Sequence, residues 1–198
     1  MGVVKRQSFK TSLVRYALLP LGFIASIFIY PYSGETNDAY GYFNYVISIA
    51  TLLSPLILFG IPSICIRFFP QFKNEENGHN GFLSFLSLSV LAALGISSIV
   101  LYLLSDLIFG MSITTEDYVI QNRSIIIPLA ITTGLISFFT YYISNFNRIV
   151  IPNLLESLRS RIFIPLLVLS LGFGYFSFQS YTWIILICFL VHLGILLF

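Results

Sequence analysis

Five stretches of this sequence contain no Asp, Glu, Lys or Arg: residues 16–34, 39–66, 77–105, 124–147 and 162–198. About 20 apolar residues in a helix cross the roughly 30 Å of bilayer hydrocarbon, so each stretch is long enough to span it. The last is long enough for two spans, and the polar run Ser177-Phe178-Gln179-Ser180-Tyr181-Thr182 divides it. Hydrocarbon offers the backbone no hydrogen-bond partner, which leaves helices as the form for such segments. The sequence therefore predicts an all-α polytopic membrane protein with six transmembrane helices, at about 13–30, 43–69, 81–104, 124–146, 162–178 and 181–198.

The positive charges orient it. With six spans and an internal amino terminus, Lys5, Arg6, Lys10, Arg15, Arg67, Lys73, Arg148, Arg159 and Arg161 face the cytoplasm, and only Arg123 lies outside. Short loops rich in Lys and Arg stay on the cytoplasmic side, so the amino terminus is expected to be cytoplasmic. A chain that is 57% hydrophobic and 9% charged is far from an ordinary soluble domain, where about a quarter of residues are charged. No basic stripe supports nucleic-acid binding.

Smaller signals exclude other classes. Cys65 and Cys188 fall inside expected spans without metal-ligand spacing, and read as small apolar residues. Lys5, Arg6, Lys10 and Arg15 before an apolar run resemble the start of a signal peptide, yet no small-residue cleavage site follows and further apolar stretches do, so the first span is expected to be retained. Asn122-Arg123-Ser124 matches a glycosylation sequon on the expected outer side, a pattern of low specificity.

Along the chain, Pro20 and Gly22 predict a bend in the first helix, and Pro55, Gly60 and Pro62 a tilted or broken second one. Tyr30, Tyr32, Tyr40, Tyr42 and Tyr45 crowd the outer edge as an aromatic belt would. Gly22-x-x-x-Ser26, Ala93-x-x-x-Ser97 and Ser170-x-x-x-Gly174 are small faces that admit a neighbouring helix. Between Arg148 and Arg161, Ile151, Leu154, Leu155 and Leu158 recur at helical spacing opposite Asn153, Glu156, Arg159 and Ser160, which predicts a short amphipathic interfacial helix over about 148–161. The chain ends at Phe198 inside an apolar run, and the expectation is the front part of a longer protein.

Catalysis has little to build on. The acids are scattered through connectors, His79 lies in a polar loop, and His192 stands alone in the last stretch, where bonding to a neighbouring helix is the simple role. No catalytic residue, metal site or cofactor is expected. Arg15 and Arg67 stand at the ends of apolar runs. Each either snorkels to the headgroups or lines an inward-facing cavity, where a guanidinium fork matches pyrophosphate. Asn145, Asn147 and Arg148 end the fourth stretch at the same expected depth, where they either widen such a polar site or cap the helix.

Residues 6–12 (Arg6-Gln7-Ser8-Phe9-Lys10-Thr11-Ser12), Tyr40-Gly41, Leu58-Phe59-Gly60-Ile61-Pro62, Arg67-Phe68-Phe69-Pro70-Gln71-Phe72-Lys73 and His79-Asn80-Gly81-Phe82-Leu83 together carry a resemblance. Over about residues 5–85 the chain resembles the amino-terminal portion of bacterial polysaccharide-biosynthesis flippases, members of the multidrug/oligosaccharidyl-lipid/polysaccharide exporter superfamily. The resemblance implies one six-helix lobe of a two-lobe exporter in the bacterial inner membrane, moving undecaprenyl-pyrophosphate-linked oligosaccharide outward for surface polysaccharide or lipopolysaccharide assembly. Its implied partners are membrane lipids, the lipid-linked oligosaccharide and a missing carboxy-terminal lobe, with Arg15, Arg67, Asn145 and Arg148 as substrate-binding candidates. A multidrug or cation-coupled exporter of the same superfamily is the alternative, and a membrane polymerase of polysaccharide assembly a more distant one.

Overall fold

The computed structural model describes residues 2–32, 37–73, 81–103, 123–146, 148–173, 175 and 178–197. Glu35, Glu75, Glu76, His79, Asp106, Glu116, Asp117, Asn122 and Asn147, all named above or carried by the expected loops, lie outside the described residues. Every regular element among the described residues is helical. In chain order these are α1 (Val3–Ile24), α2 (Asn37–Ile57), α3 (Ile61–Phe72), α4 (Phe82–Leu103), α5 (Ile126–Ser144), α6 (Val150–Leu158), α7 (Ile164–Gly172) and α8 (Phe178–Leu197).

Among the described residues, four helices are long and apolar enough to cross a membrane: Lys5–Ile29, Phe82–Leu103, Ile126–Ser144 and Ser180–Leu197. A fifth span results if the bent pair Phe43–Ile57 and Ile61–Phe72, set at 48°, counts as one. α4 shows why these helices suit lipid. It buries Phe82, Leu86, Val90, Ala93 and Ser97 on one stripe, yet Phe85, Leu88, Leu91, Ile96 and Ile99 on its other faces are exposed. A helix apolar all round needs hydrocarbon or protein on every side.

The stretch expected to form a span at 162–178 takes a different form. α6, a π-helical turn at Arg159–Phe163 and α7 follow one another without a break, so the amphipathic run and the apolar run after it make one helix. A second π turn, Ala25–Ile29, extends α1 into Tyr30–Tyr32. Each π turn begins six residues before a proline, Pro31 in one case and Pro165 in the other. A proline ring clashes with the carbonyl four residues back, here Ile27 or Arg161, both inside the widened turn. Tyr30 N–H and Ile164 N–H then bond five residues back, to the Ala25 and Arg159 carbonyls. Pro20, where the sequence suggested the bend, sits in regular α-helix.

The chain divides into two compact units, residues 1–46 with 146–198 and residues 47–145. In the first, α1 packs along α6 and the π turn that follows it, and α7 lies against α8. Tyr181 of α8 is wholly buried, stacks on Phe43 at 5.7 Å and shares a hydrogen bond with the Ser170 hydroxyl of α7.

In the second unit, Leu58, Ile61, Cys65 and Phe69 pack on Phe82, Leu86, Val90 and Ala93 of α4 and on Phe138 of α5. The break between α2 and α3 is a left-handed turn, with φ of 47° at Phe59 and 72° at Gly60. It leaves the Ile57 carbonyl outside the helical ladder, and the buried Ser97 hydroxyl donates to it at 2.8 Å. The Ala93-x-x-x-Ser97 face thus supplies a hydrogen bond as well as a close approach. Both Gly60 and Gly95 have open space where a Cβ would go, but only Gly60 has positive φ. Gly60→Ala should therefore cost about 1–2 kcal/mol through the backbone alone, while Gly95→Ala in α4 should gain up to about 1 kcal/mol. Thermal unfolding of the two variants in detergent checks the opposite signs.

Candidate functional site

In the first unit α1 and α6 run side by side in the same direction. Their facing pairs climb together, with Gln7 and Lys10 near Arg148 and Ile151, Arg15 at Asn153, and Gly22 at Arg161. Arg15 is exposed, and its Nη2 donates to Asn153 Oδ1. The Asn153 amide is fixed in turn because its Nδ2 donates to the Ile149 carbonyl one turn back, at 2.8 Å. Arg161 lays its stem over Gly22, whose absent Cβ would stand 3.6 Å from Arg161 Cγ, and its Nη1 donates to the Arg15 carbonyl. A larger side chain at position 22 would stand in the path of that stem. The α1–α6 seam is therefore tied twice at Arg15, through its side chain to Asn153 and through its backbone carbonyl to Arg161.

Residues eight apart on a regular α-helix sit about 80° apart around its axis. The wide turn at Arg159–Phe163 changes that register, so that Asn153 and Arg161 both serve α1 while Arg159 turns toward α8. Arg159 Nη1 bonds His192 Nδ1 at 3.0 Å, and its guanidinium carbon lies 4.0 Å above the centre of the Phe189 ring. A guanidinium only donates, so His192 Nδ1 is the acceptor and its proton is on Nε2. Burial pulls the Arg159 pKa below its ordinary value, and Glu156 one turn back opposes this. The ring face and the imidazole together meet a cation that is half-buried. His192 thus holds the simple role expected for it, a bond to a neighbouring helix.

Of the four sequence candidates, Arg15 and Arg148 belong to the first unit and Arg67 and Asn145 to the second. Arg15 lies at the seam just described. Arg148 is exposed and lines a groove with Gln7, Lys10, Val150 and Ile151. In the second unit, Asn145 follows α5 and its Nδ2 donates to the Cys65 carbonyl and Sγ, both at 3.4 Å. Arg67 is on α3 two residues beyond Cys65, hence on the opposite side of that helix, exposed and with its guanidinium carbon 6.0 Å from the Phe68 ring centre. Asn145 and Arg67 therefore do not share a face. Asn145 ties the end of α5 to α3, a bond to a neighbouring helix that differs from both roles the sequence left open, widening a polar site or capping its own helix.

Asn153, Arg161, Lys10 and Gln7 enter as functional candidates only through the structure. The one available signal was Pro165, four residues beyond Arg161, and the register change that proline imposes cannot be read from periodicity. Among the described residues no group of His, Cys, Asp and Glu has the arrangement of a metal site. No protein-family model, curated protein or solved structure matches the chain.

The Arg159–His192 pair generates a stability test. His192→Leu takes a partner from a half-buried cation and should cost about 1–2 kcal/mol. The double change Arg159→Met with His192→Leu should recover most of that loss, because an apolar pair replaces the buried polar one. Thermal or denaturant unfolding of wild type, both single variants and the double variant reads the cycle.

Proposed function

We propose that this chain is the amino-terminal lobe of an exporter that flips undecaprenyl-pyrophosphate-linked oligosaccharide across the bacterial cytoplasmic membrane, with six spans and its amino terminus inside. The observation that carries the reading is the exposed Arg15 guanidinium at the α1–α6 seam, bonded by Asn153 and with its backbone carbonyl held by Arg161. Asn153 takes one of the N–H groups of Arg15, and a guanidinium has five, arranged to fit paired phosphate oxygens. Arg15, exposed and held by Asn153, presents the rest of its fork to the oxygens of a pyrophosphate.

The sequence supports the same class through the resemblance of residues 5–85 to polysaccharide flippases. The nine-to-one distribution of Lys and Arg would put this seam on the side where such a cargo is loaded. Arg67, exposed on α3 of the second unit, remains a separate substrate candidate from the sequence. Alternating access would then expose the seam to one leaflet at a time. Arg15 acts here as a ligand-binding residue, and Asn153 and Arg161 position it.

Complementation of a host whose surface polysaccharide depends on this gene tests the proposal. Arg15→Ala and Arg67→Ala should each lower export by about tenfold or more, the loss of one charge-assisted hydrogen bond, with lipid-linked precursor accumulating. Arg15→Lys should fall between, since it keeps charge without the fork. Unchanged export and unchanged precursor in both alanine variants would refute the assignment.

A further inference from the structure

Within the first unit, Arg159 and His192 hold the π turn after α6 against α8. Arg159 Nη1 donates to His192 Nδ1 at 3.0 Å, and the guanidinium carbon lies 4.0 Å above the Phe189 ring centre. Nδ1 accepts only while the imidazole is neutral, and a guanidinium only donates. A proton on Nδ1 removes the acceptor and sets two cations side by side. The imidazole can therefore hold Arg159 or a second proton, and never both. The surrounding elements offer that second charge no buried counter-ion. α6 contributes Glu156, exposed and one turn before Arg159. The π turn contributes Arg161, which faces α1 and holds the Arg15 carbonyl. α7 has no titratable side chain, α8 itself adds Cys188 one turn before His192, and α2 meets α8 three turns away at Tyr181.

The closed contact is also incompletely satisfied. Arg159 Nε and His192 Nε2 are both shut off from solvent with no hydrogen-bond partner. With Nδ1 as acceptor, each of these nitrogens carries an N–H, and a buried donor left unpaired lowers stability. Moving α8 off the turn gives up one hydrogen bond and the ring contact, and lets two stranded donors find partners. Glu156 and Ser160, exposed on either side of Arg159, form the polar edge from which water reaches a separated pair. We infer that the Arg159–His192 contact is a proton-sensitive latch: neutral His192 holds α8 to the π turn, and a second proton on its imidazole releases it. The proton comes from water to Nδ1, and Arg159 keeps its charge throughout. A freed imidazole takes up a proton at about pH 6.5, whereas the closed one has no site for it. The closed form is thus favoured above that pH, and the open-to-closed ratio rises by up to about tenfold for each pH unit below it. The latch concerns packing inside one unit and does not rest on the transport reading.

The test measures the separation of α8 from the π turn in the full chain, held in nanodiscs, as the pH falls from about 8 to about 4.5. Spin labels at Ser160→Cys and Ile195→Cys, both exposed positions, report it by pulsed electron paramagnetic resonance, with Cys65→Ser and Cys188→Ser leaving no other thiol. This labelled parent should show one distance at the upper pH and a second, longer one whose population grows by about tenfold or more at the lower. His192→Asn keeps an acceptor that takes no proton, and should hold the short distance throughout. Glu156→Gln should respond as the parent does, because the carboxylate is not the sensor. The chain has two histidines, so with His79→Asn the ¹⁵N signals of the remaining imidazole report His192 alone, without any variant at the latch. Its Nδ1 should become protonated in step with the longer distance. The inference is overturned by a single distance at every pH, by a response that survives His192→Asn or is lost in Glu156→Gln, or by an imidazole that stays neutral while the distance changes.

Discussion

Hydrocarbon gives a peptide group nothing to bond to, and most of the structure follows from how this chain meets that constraint at its prolines. Eight prolines in 198 residues would leave a set of stranded carbonyls in a chain of regular helices. At Pro31 and Pro165 the preceding turn widens, and the ladder closes over five residues instead of four. Between α2 and α3 the helix breaks outright, and the Ser97 hydroxyl from α4 bonds the Ile57 carbonyl. Pro62 sits at the start of α3, where its missing N–H has no helical partner to lose. These repairs determine which side chains face which neighbour, and the positions of the charged groups depend on them.

The helices themselves were largely legible from sequence. α4 and α5 fall within the charge-free stretches 77–105 and 124–147 because hydropathy alone decides a span of that length. The broken second helix was legible too, since Pro55, Gly60 and Pro62 cluster within eight residues and Gly60 takes the left-handed φ that glycine tolerates. The helix from Val150 to Gly172 was not. Its first half is amphipathic and its second half apolar, so composition suggests two elements where the backbone runs through. Helical periodicity assumes a constant turn, and the π turn at Arg159–Phe163 violates that assumption where two arginines stand.

The same limit explains which candidate residues the sequence could pick out. Arg15 and Arg67 stood out because each breaks an apolar run, a signal that depends only on local composition. Arg159 and Arg161 looked like a single basic end to an amphipathic helix, yet one reaches Phe189 and His192 on α8 and the other reaches α1. Two residues apart on a helix means opposite faces, and only tertiary packing says that both faces are occupied. Asn145 shows the converse case. Its position at the end of the fourth apolar stretch left a polar site or a helix cap open, and its amide bonds the Cys65 backbone of α3, a contact that only tertiary packing reveals.

The α1–α6 seam also separates where a charge is written in the sequence from where it acts. Side chains on a helix lean toward its amino end, and Arg161 follows this by laying its stem on Gly22 and placing its head at the carbonyl of Arg15. The cation therefore acts well below the residue that carries it, leaving the apolar part of α1 undisturbed and covering it with methylene groups. Because α1 and α6 run the same way, both helices send their long cationic side chains toward the same end of the seam. Parallel packing with a glycine at the crossing thus gathers positive charge without placing a charged residue deep in an apolar span, and an antiparallel pair would send it to opposite ends.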